Sequence, residues 1–267
     1  DVNITIKAKD EASAGISSVL GSIGKLAGGF AVGQLAVGGL RTAFGFLSNQ
    51  LTSSIASFNE SERVTAQTEA VLKSTGYAAG FTAEALQSMA SSLQSQTTYS
   101  DEAIKSAENL LLTFTNIGHD IFPQATQTVL DMSTALGQDL KSSSIQLGKA
   151  LQDPIEGVNA LRRVGVNFTR EQQDVIAGLV DTGRAVEAQR LIMAELSKEF
   201  GGSASAAATT FGGKMEQLKN RIDDTKEEIG SGITPVLGNL VTAFSDVSSE
   251  IFKNVNITEV AFNAFRG

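Results

Sequence analysis

Proline stands at only three of 267 positions, Pro123, Pro154 and Pro235. Because an interior proline costs a helix about 3 kcal/mol, a chain this poor in proline has room for long, nearly uninterrupted helices. The apolar residues are mostly Ala, Val, Leu and Ile, with no Trp, and aromatics make up 6% of the chain. Small side chains favour close helix packing over a deep aromatic core. The expected fold class is all-α: a domain of short antiparallel helices, flanked by a Gly-rich N-terminal helix and a coiled-coil-like C-terminal helix. One short strand is expected at residues 1–9, where Val2, Ile4, Ile6 and Ala8 alternate with polar neighbours.

Residues 10–58 are glycine-rich and weakly polar, and Leu26 to Leu47 is the most apolar part; Lys25 and Arg41 bracket a shorter uncharged stretch that contains Gln34. Gly24 and Gly28, and Gly29 and Gly33, recur at the spacing that lets helix backbones approach closely. Two readings stay open: a helix buried in a homo-oligomer or against a partner, and conditional membrane insertion, although the uncharged stretch is shorter than the roughly 20 residues a span needs.

Residues 59–200 carry sharper helix signals. Thr82 and Ser100 are expected N-caps, each with a hydrophobic staple, Phe81 to Leu86 and Tyr99 to Ile104. The helix from Asp101 is expected to place Ile104, Ala107, Leu111, Phe114 and Ile117 on one face and to stop at Gly118. Further helices are expected from Pro123 to Gly137, from Leu140 to Gln152, from a Thr169 capping box to about Val180, and from Arg184 to Phe200.

Residues 201–210 have the small-residue composition of a linker or weak helix. In 211–267, Phe211, Met215, Leu218, Ile222, Thr225 and Ile229 recur at steps of four and three, flanked by Lys219, Arg221, Asp223, Asp224, Lys226, Glu227 and Glu228. This is the pattern of a coiled-coil seam with a solvated acidic face, or of a plain amphipathic helix. Gly230 to Thr234 is expected to break it, with Pro235 opening a further helix. Candidate self-association residues are therefore Gly24, Gly28, Gly29, Gly33, Met215, Leu218, Ile222 and Ile229.

The inventory of reactive groups is thin. The formal net charge is −8, which opposes tracking a nucleic-acid backbone, so no sequence-specific nucleic acid is expected. A single histidine, His119, and no cysteine cannot assemble a standard zinc peptidase set, and neither a nucleophile elbow nor a phosphate loop is present. Glu60-Ser61 echoes the dipeptide of lytic transglycosylases without its surroundings, and Asp223-Asp224 with Glu227-Glu228 reads as a solvated helix face. No catalytic residue, cofactor or metal ligand is assigned. No basic segment precedes an apolar one at Asp1, so no signal peptide is expected.

The stretch from Leu147 through Gly148, Leu151, Asp153-Pro154, Ile155 and Gly157 to Leu161, Gly165 and Thr169, with Gly183 and Ala188-Gln189-Arg190 beyond it, is more distinctive. Leu147, Leu151 and Ile155 are expected to form an apolar edge, Asp153-Pro154 to end a helix, and Gly157 and Gly165 to allow tight turns. This stretch resembles the core region of phage and prophage tail tape measure proteins, and the resemblance extends over roughly Val2 to Thr242. It implies a structural protein that occupies the tail tube lumen, sets tail length, helps tail assembly and leaves ahead of the genome. It also implies a homo-oligomer, a trimer or hexamer, that meets tail tube and tail-tip proteins and possesses a virion interior location after synthesis in the host cytoplasm. A host-membrane role at ejection, as a channel-forming element aiding DNA passage, is the alternative, and a cell-wall hydrolase is a third. At 1.5 Å per helical residue a chain of this size reaches only about 400 Å, so it is expected to be part of a longer protein.

Overall fold

The computed structural model describes residues 37–254, with side chains over 52–235. The expected strand at 1–9 and Gly24, Gly28, Gly29 and Gly33 lie outside the described residues. Every regular element among the described residues is an α-helix: α1 (Val37–Ser74), α2 (Ala83–Gln96), α3 (Asp101–Leu112), α4 (Phe122–Leu136), α5 (Leu140–Gln152), α6 (Pro154–Arg162), α7 (Arg170–Asp181), α8 (Ala185–Phe200), α9 (Ser203–Thr209) and α10 (Phe211–Asn254).

Local chemistry sets most of the boundaries. The hydroxyls of Thr82 and Ser100 accept from the backbone N–H groups of Ala85 and Ala103. Asp139 does the same for Ser142 at the start of α5. Thr169 and Gln172 form a reciprocal capping box at α7, which satisfies two of the donors a helix start leaves open. Gly137 ends α4 in the left-handed conformation, with φ 63°, where a side chain would be strained.

Two expectations change and one is narrowed. The helix from Asp101 ends at Leu112, not Gly118; Ile117 is still buried, but it reaches the core from the connecting turns. Of the two readings of residues 201–210, linker or weak helix, the structure takes the helix: α9 lies within them and buries Ala204 and Ala208. Gly230 to Thr234 does not interrupt the last helix: α10 runs straight through, with Pro235 inside it.

Cα packing separates two units, Asp1–Phe58 with Lys226–Gly267, and Asn59–Thr225. In the first, Gly230 explains the unbroken helix. A Cβ there would lie 2.2 Å from the Ser54 carbonyl oxygen and 2.8 Å from Phe58 Cβ. The glycine is a place of close helix approach, and the helix pays no turn for it.

In the second unit, consecutive helices from α2 to α8 pack on one another, α3 also meets α5, and α8 returns onto α4 and α6. The main core includes Leu111, Phe122, Val129, Leu147, Leu151, Leu161, Ile192 and Leu196. A smaller cluster joins Leu93, Ile104, Leu130 and Ala204. Buried Asp131 on α4 holds α9 in place: its two carboxylate oxygens accept from the backbone N–H groups of Gly202, at 3.1 Å, and Ala204, at 2.9 Å. A carboxylate at a helix start stabilises the open donors and the positive end of the helix dipole. Replacing Asp131 with Ala is expected to lower stability by about 2 kcal/mol in urea unfolding of the full chain, and to speed amide exchange first in α9.

Candidate functional site

The residues singled out around Asp153-Pro154 form a joint between helices. Asp153 ends α5 and begins α6: its N–H donates to Lys149 O, and its side chain accepts from Glu156 N at 3.3 Å. Pro154 occupies the first turn of α6, where its missing N–H costs nothing. The carbonyls that α5 leaves open are met from elsewhere in the chain. Buried Gln189 on α8 donates through Nε2 to Leu151 O and to Asn116 O, both at 2.8 Å. Asn116 donates through Nδ2 to Gln152 O at 2.8 Å, and its own N–H is accepted by Gln152 Oε1.

Two glycines of the motif act by absence. A Cβ on Gly148 would fall 2.2 Å from the Phe114 ring, and one on Gly157 would fall 2.2 Å from Ala150 Cα. Gly157 is therefore not a turn residue; it lies inside α6 and lets that helix sit against the backbone of α5. Gly165 is a turn residue, with φ 98°. Leu147, Leu151, Val158 and Leu161 are buried, whereas Ile155 is 39% exposed and stands off the expected apolar edge. Asn116 and Phe114 were not legible as members of this joint, since their contacts lie far along the chain; Gln189 and Ala150 stood within the motif, but what each touches was not legible.

The remaining flagged groups sit apart. Glu60 forms an exposed ion pair with Arg63, and that hydrogen bond holds its carboxyl below the ordinary range. A general acid requires the opposite shift. His119 stacks on Phe81, with ring centroids 4.6 Å apart. Among the described residues no group of His, Cys, Asp and Glu is placed to hold a metal ion.

A feature absent from the sequence reading is a buried polar face on α3. Asp101, Lys105, Glu108 and Asn109 are all buried, at helical spacing that puts them on one side. Lys105 Nζ lies 3.2 Å from Asp101 Oδ2, which also accepts from Gln87 Nε2 at 2.9 Å. Neither carboxyl oxygen of Glu108 has a hydrogen-bond partner. Burial, only partly opposed by the nearby Lys105 charge, pushes the Glu108 carboxyl up to about 9. Burial, with Asp101 alongside, raises Glu102 to about 7. Asp101 shifts the other way: the Glu102 hydrogen bond and the Lys105 charge together outweigh its burial.

The apolar stripe of the C-terminal helix is exposed on the single chain. In residues 211–225, α10 docks through polar and glycine positions. Gln217 Nε2 donates to Ser95 O and Thr97 O, Asn220 Nδ2 to Thr98 O, and Asp224 accepts from Gln94 Nε2 at 2.7 Å. A Cβ on Gly213 would fall 2.1 Å from Ala207 O. Phe211 is 83% exposed, Met215, Leu218 and Ile222 are each 49% exposed, and Ile229 is 42% exposed. Asp223, Asp224 and Glu227 are half-buried. Part of the acidic side is thus drawn against the chain while Glu216 and Glu228 stay exposed, and the apolar side is left open.

The family described as prophage tail length tape measure protein matches residues 15–177, well over half of the chain. The chain belongs to that family. No curated protein and no solved structure matches it. The tape measure match contains the Gly148-to-Gly165 part of the joint, while all of α8, which carries Gln189, and all of α10 lie outside it. Tape measure proteins are structural components of phage tails, and the joint, built from caps, glycines and amides, is a packing device consistent with that role.

Two outcomes follow for purified protein. Gly157→Ala is expected to cost about 2 kcal/mol by forcing α6 off α5. Gly178→Ala in α7, where an added Cβ meets nothing within 4 Å, should be neutral or stabilising by about 1 kcal/mol; equal effects in denaturant titrations would refute the close-approach role. Glu108 binds a proton in the folded chain that the unfolded chain releases above its ordinary value of 4.5. Its contribution is therefore full below about pH 4.5 and declines as pH rises towards 9, by at most about 1.4 kcal/mol per pH unit. Glu108→Gln should flatten that decline, leaving the shallower slope due to Glu102, when stability is measured from pH 5 to 9.

Proposed function

We propose that this chain is part of the body that fills the tail tube lumen during assembly, sets tail length through its helical extent, and is released ahead of the genome. The observation that carries this reading is the family match over residues 15–177. The helical character supports it: α1 has 38 residues and α10 has 44, lengths of about 57 and 66 Å at 1.5 Å per residue. Tubular tails are built with rotational symmetry, and a trimer or hexamer of this chain, contacting tail tube and tail-tip proteins, suits a body enclosed by such a tube. On this reading the protein is made in the host cytoplasm and resides in the virion tail interior.

A membrane-active role at ejection is the second reading, carried by the apolar segment Leu26 to Leu47. Among the described residues no helix is long and apolar enough to cross a membrane, and residues 26–36 lie outside them. Liposome flotation of the full chain, with and without residues 11–58, separates the readings.

Electron cryomicroscopy of tails carrying a small tag on this chain is the direct test. The tag should lie on the tube axis in full particles and disappear from emptied ones. A tag on the outer tube surface, or retained after ejection, would end the lumen proposal.

A further inference from the structure

The outward stripe of α10 combines three properties that together describe what it binds. It is apolar and half-exposed at successive positions, although the same helix buries amides and carboxylates on its other side. It is narrow: Met215, Ile222 and Ile229 occupy one seam position, Leu218 and Thr225 the other, the two-per-heptad pattern of a coiled-coil seam. And its edges are basic. Lys219 and Lys226 border one side, and Lys214 and Arg221, followed by Glu228, border the other.

The basic edges are not a consequence of composition, since the chain carries a net charge of −8. Charge is sorted around the helix: Glu216, Asp223, Asp224 and Glu227 fall away from the seam, while four of the five charged residues beside it are cations. Lys219 also pairs with Glu216 at 3.6 Å across an exposed turn, an interaction weak enough in water for a closer carboxylate to displace it.

This pattern opposes pairing with a second copy. In a parallel pair the edges set Lys214 against Lys219 and Arg221 against Lys226. In an antiparallel pair centred on the stripe, Lys214 gains Glu228, but Arg221 meets Arg221 and Lys219 meets Lys226. Like charges at these edges are the usual device for excluding a partner. A lipid surface fits less well than a helix, because membrane-surface helices present a wide apolar sector, and here Thr225 and Gly232 fall within the seam.

We propose that the Met215–Leu218–Ile222–Ile229 stripe is the docking seam for an amphipathic helix of another protein, apolar at its own seam and acidic along both edges. The proposal stands on α10 alone and does not depend on the lumen reading. It replaces self-association at these four residues with a heterotypic contact, while leaving oligomerisation through other surfaces open.

The test uses the full chain and two synthetic helical peptides with identical Leu and Ile seams, one with Glu and one with Lys at both edges, followed by fluorescence anisotropy. The Glu-edged peptide should bind at least about tenfold more tightly than the Lys-edged one, with the difference shrinking as salt rises. Leu218→Asp with Ile222→Asp should abolish binding. Lys214→Glu with Lys219→Glu and Arg221→Glu, all at exposed positions, should reverse the preference, provided circular dichroism shows the wild-type helix content. Equal binding of both peptides, binding of neither, unreversed preference in the charge-swapped variant, or stronger binding to vesicles of anionic phospholipid than to the Glu-edged peptide would overturn the proposal. So would a wild-type dimer that Leu218→Asp with Ile222→Asp dissociates in sedimentation.

Discussion

A helix that ends inside a folded chain leaves backbone carbonyls that must find donors, and the end of α5 shows how much structure can hang on that requirement. Leu151 O and Gln152 O receive side-chain N–H groups from Gln189 and Asn116, residues contributed by α8 and by the connection after α3. Those donors fix where α8 and that connection lie. Asp153 redirects the chain within one residue, and Gly157 allows α6 to settle against Ala150. An unsatisfied buried carbonyl costs about 1–3 kcal/mol, which is what loss of Gln189 would leave at Leu151 O. The joint thus links four segments through amides and missing side chains.

The polar face of α3 is a second constraint of the opposite kind. The helix is enclosed by α2, α4 and α5, and Asn109 reaches the backbone of α1 at Val64, so its polar side is covered as well as its apolar one. Lys105 and Asp101 compensate each other, whereas Glu108 is held as a neutral acid by burial. A hydrophobic residue of similar volume would remove that cost. The cluster therefore lowers the stability of the unit at alkaline pH relative to what the same packing could achieve.

The legibility of the chain follows the range of the interactions involved. The caps at Thr82, Ser100 and Thr169 and the left-handed Gly137 are decided within four residues, and the sequence reading located each of them. The Asp153-Pro154 break was legible for the same reason. Gly230 was read as a breaker because glycine is a poor helix former, but close contact with Ser54 and Phe58 gives a reason for glycine there that only the fold reveals. The early end of α3 was missed because Phe114 and Ile117 keep helical spacing while serving the core from turns. The buried Asp101, Lys105 and Glu108 did carry a signal, their common helix face, yet charged residues at such spacing ordinarily face water, and nothing local marks this helix as covered on both sides.

The orientation of α10 shows why periodicity finds a helix without telling which side it buries. Each amide-to-carbonyl bond that docks it contributes about 1 kcal/mol net, while fully burying a Met, Leu or Ile side chain is worth about 1.5–3 kcal/mol. On that comparison alone the helix would roll its apolar side inward. Two features prevent the roll. Gly213 touches the Ala207 and Ala208 backbone at a spot where any other residue would collide, and the surface offered by Ser95, Thr97 and Thr98 presents carbonyl acceptors that Met215 or Leu218 would leave unpaired. The receiving surface selects the polar side, and the apolar side is left where another helix can reach it.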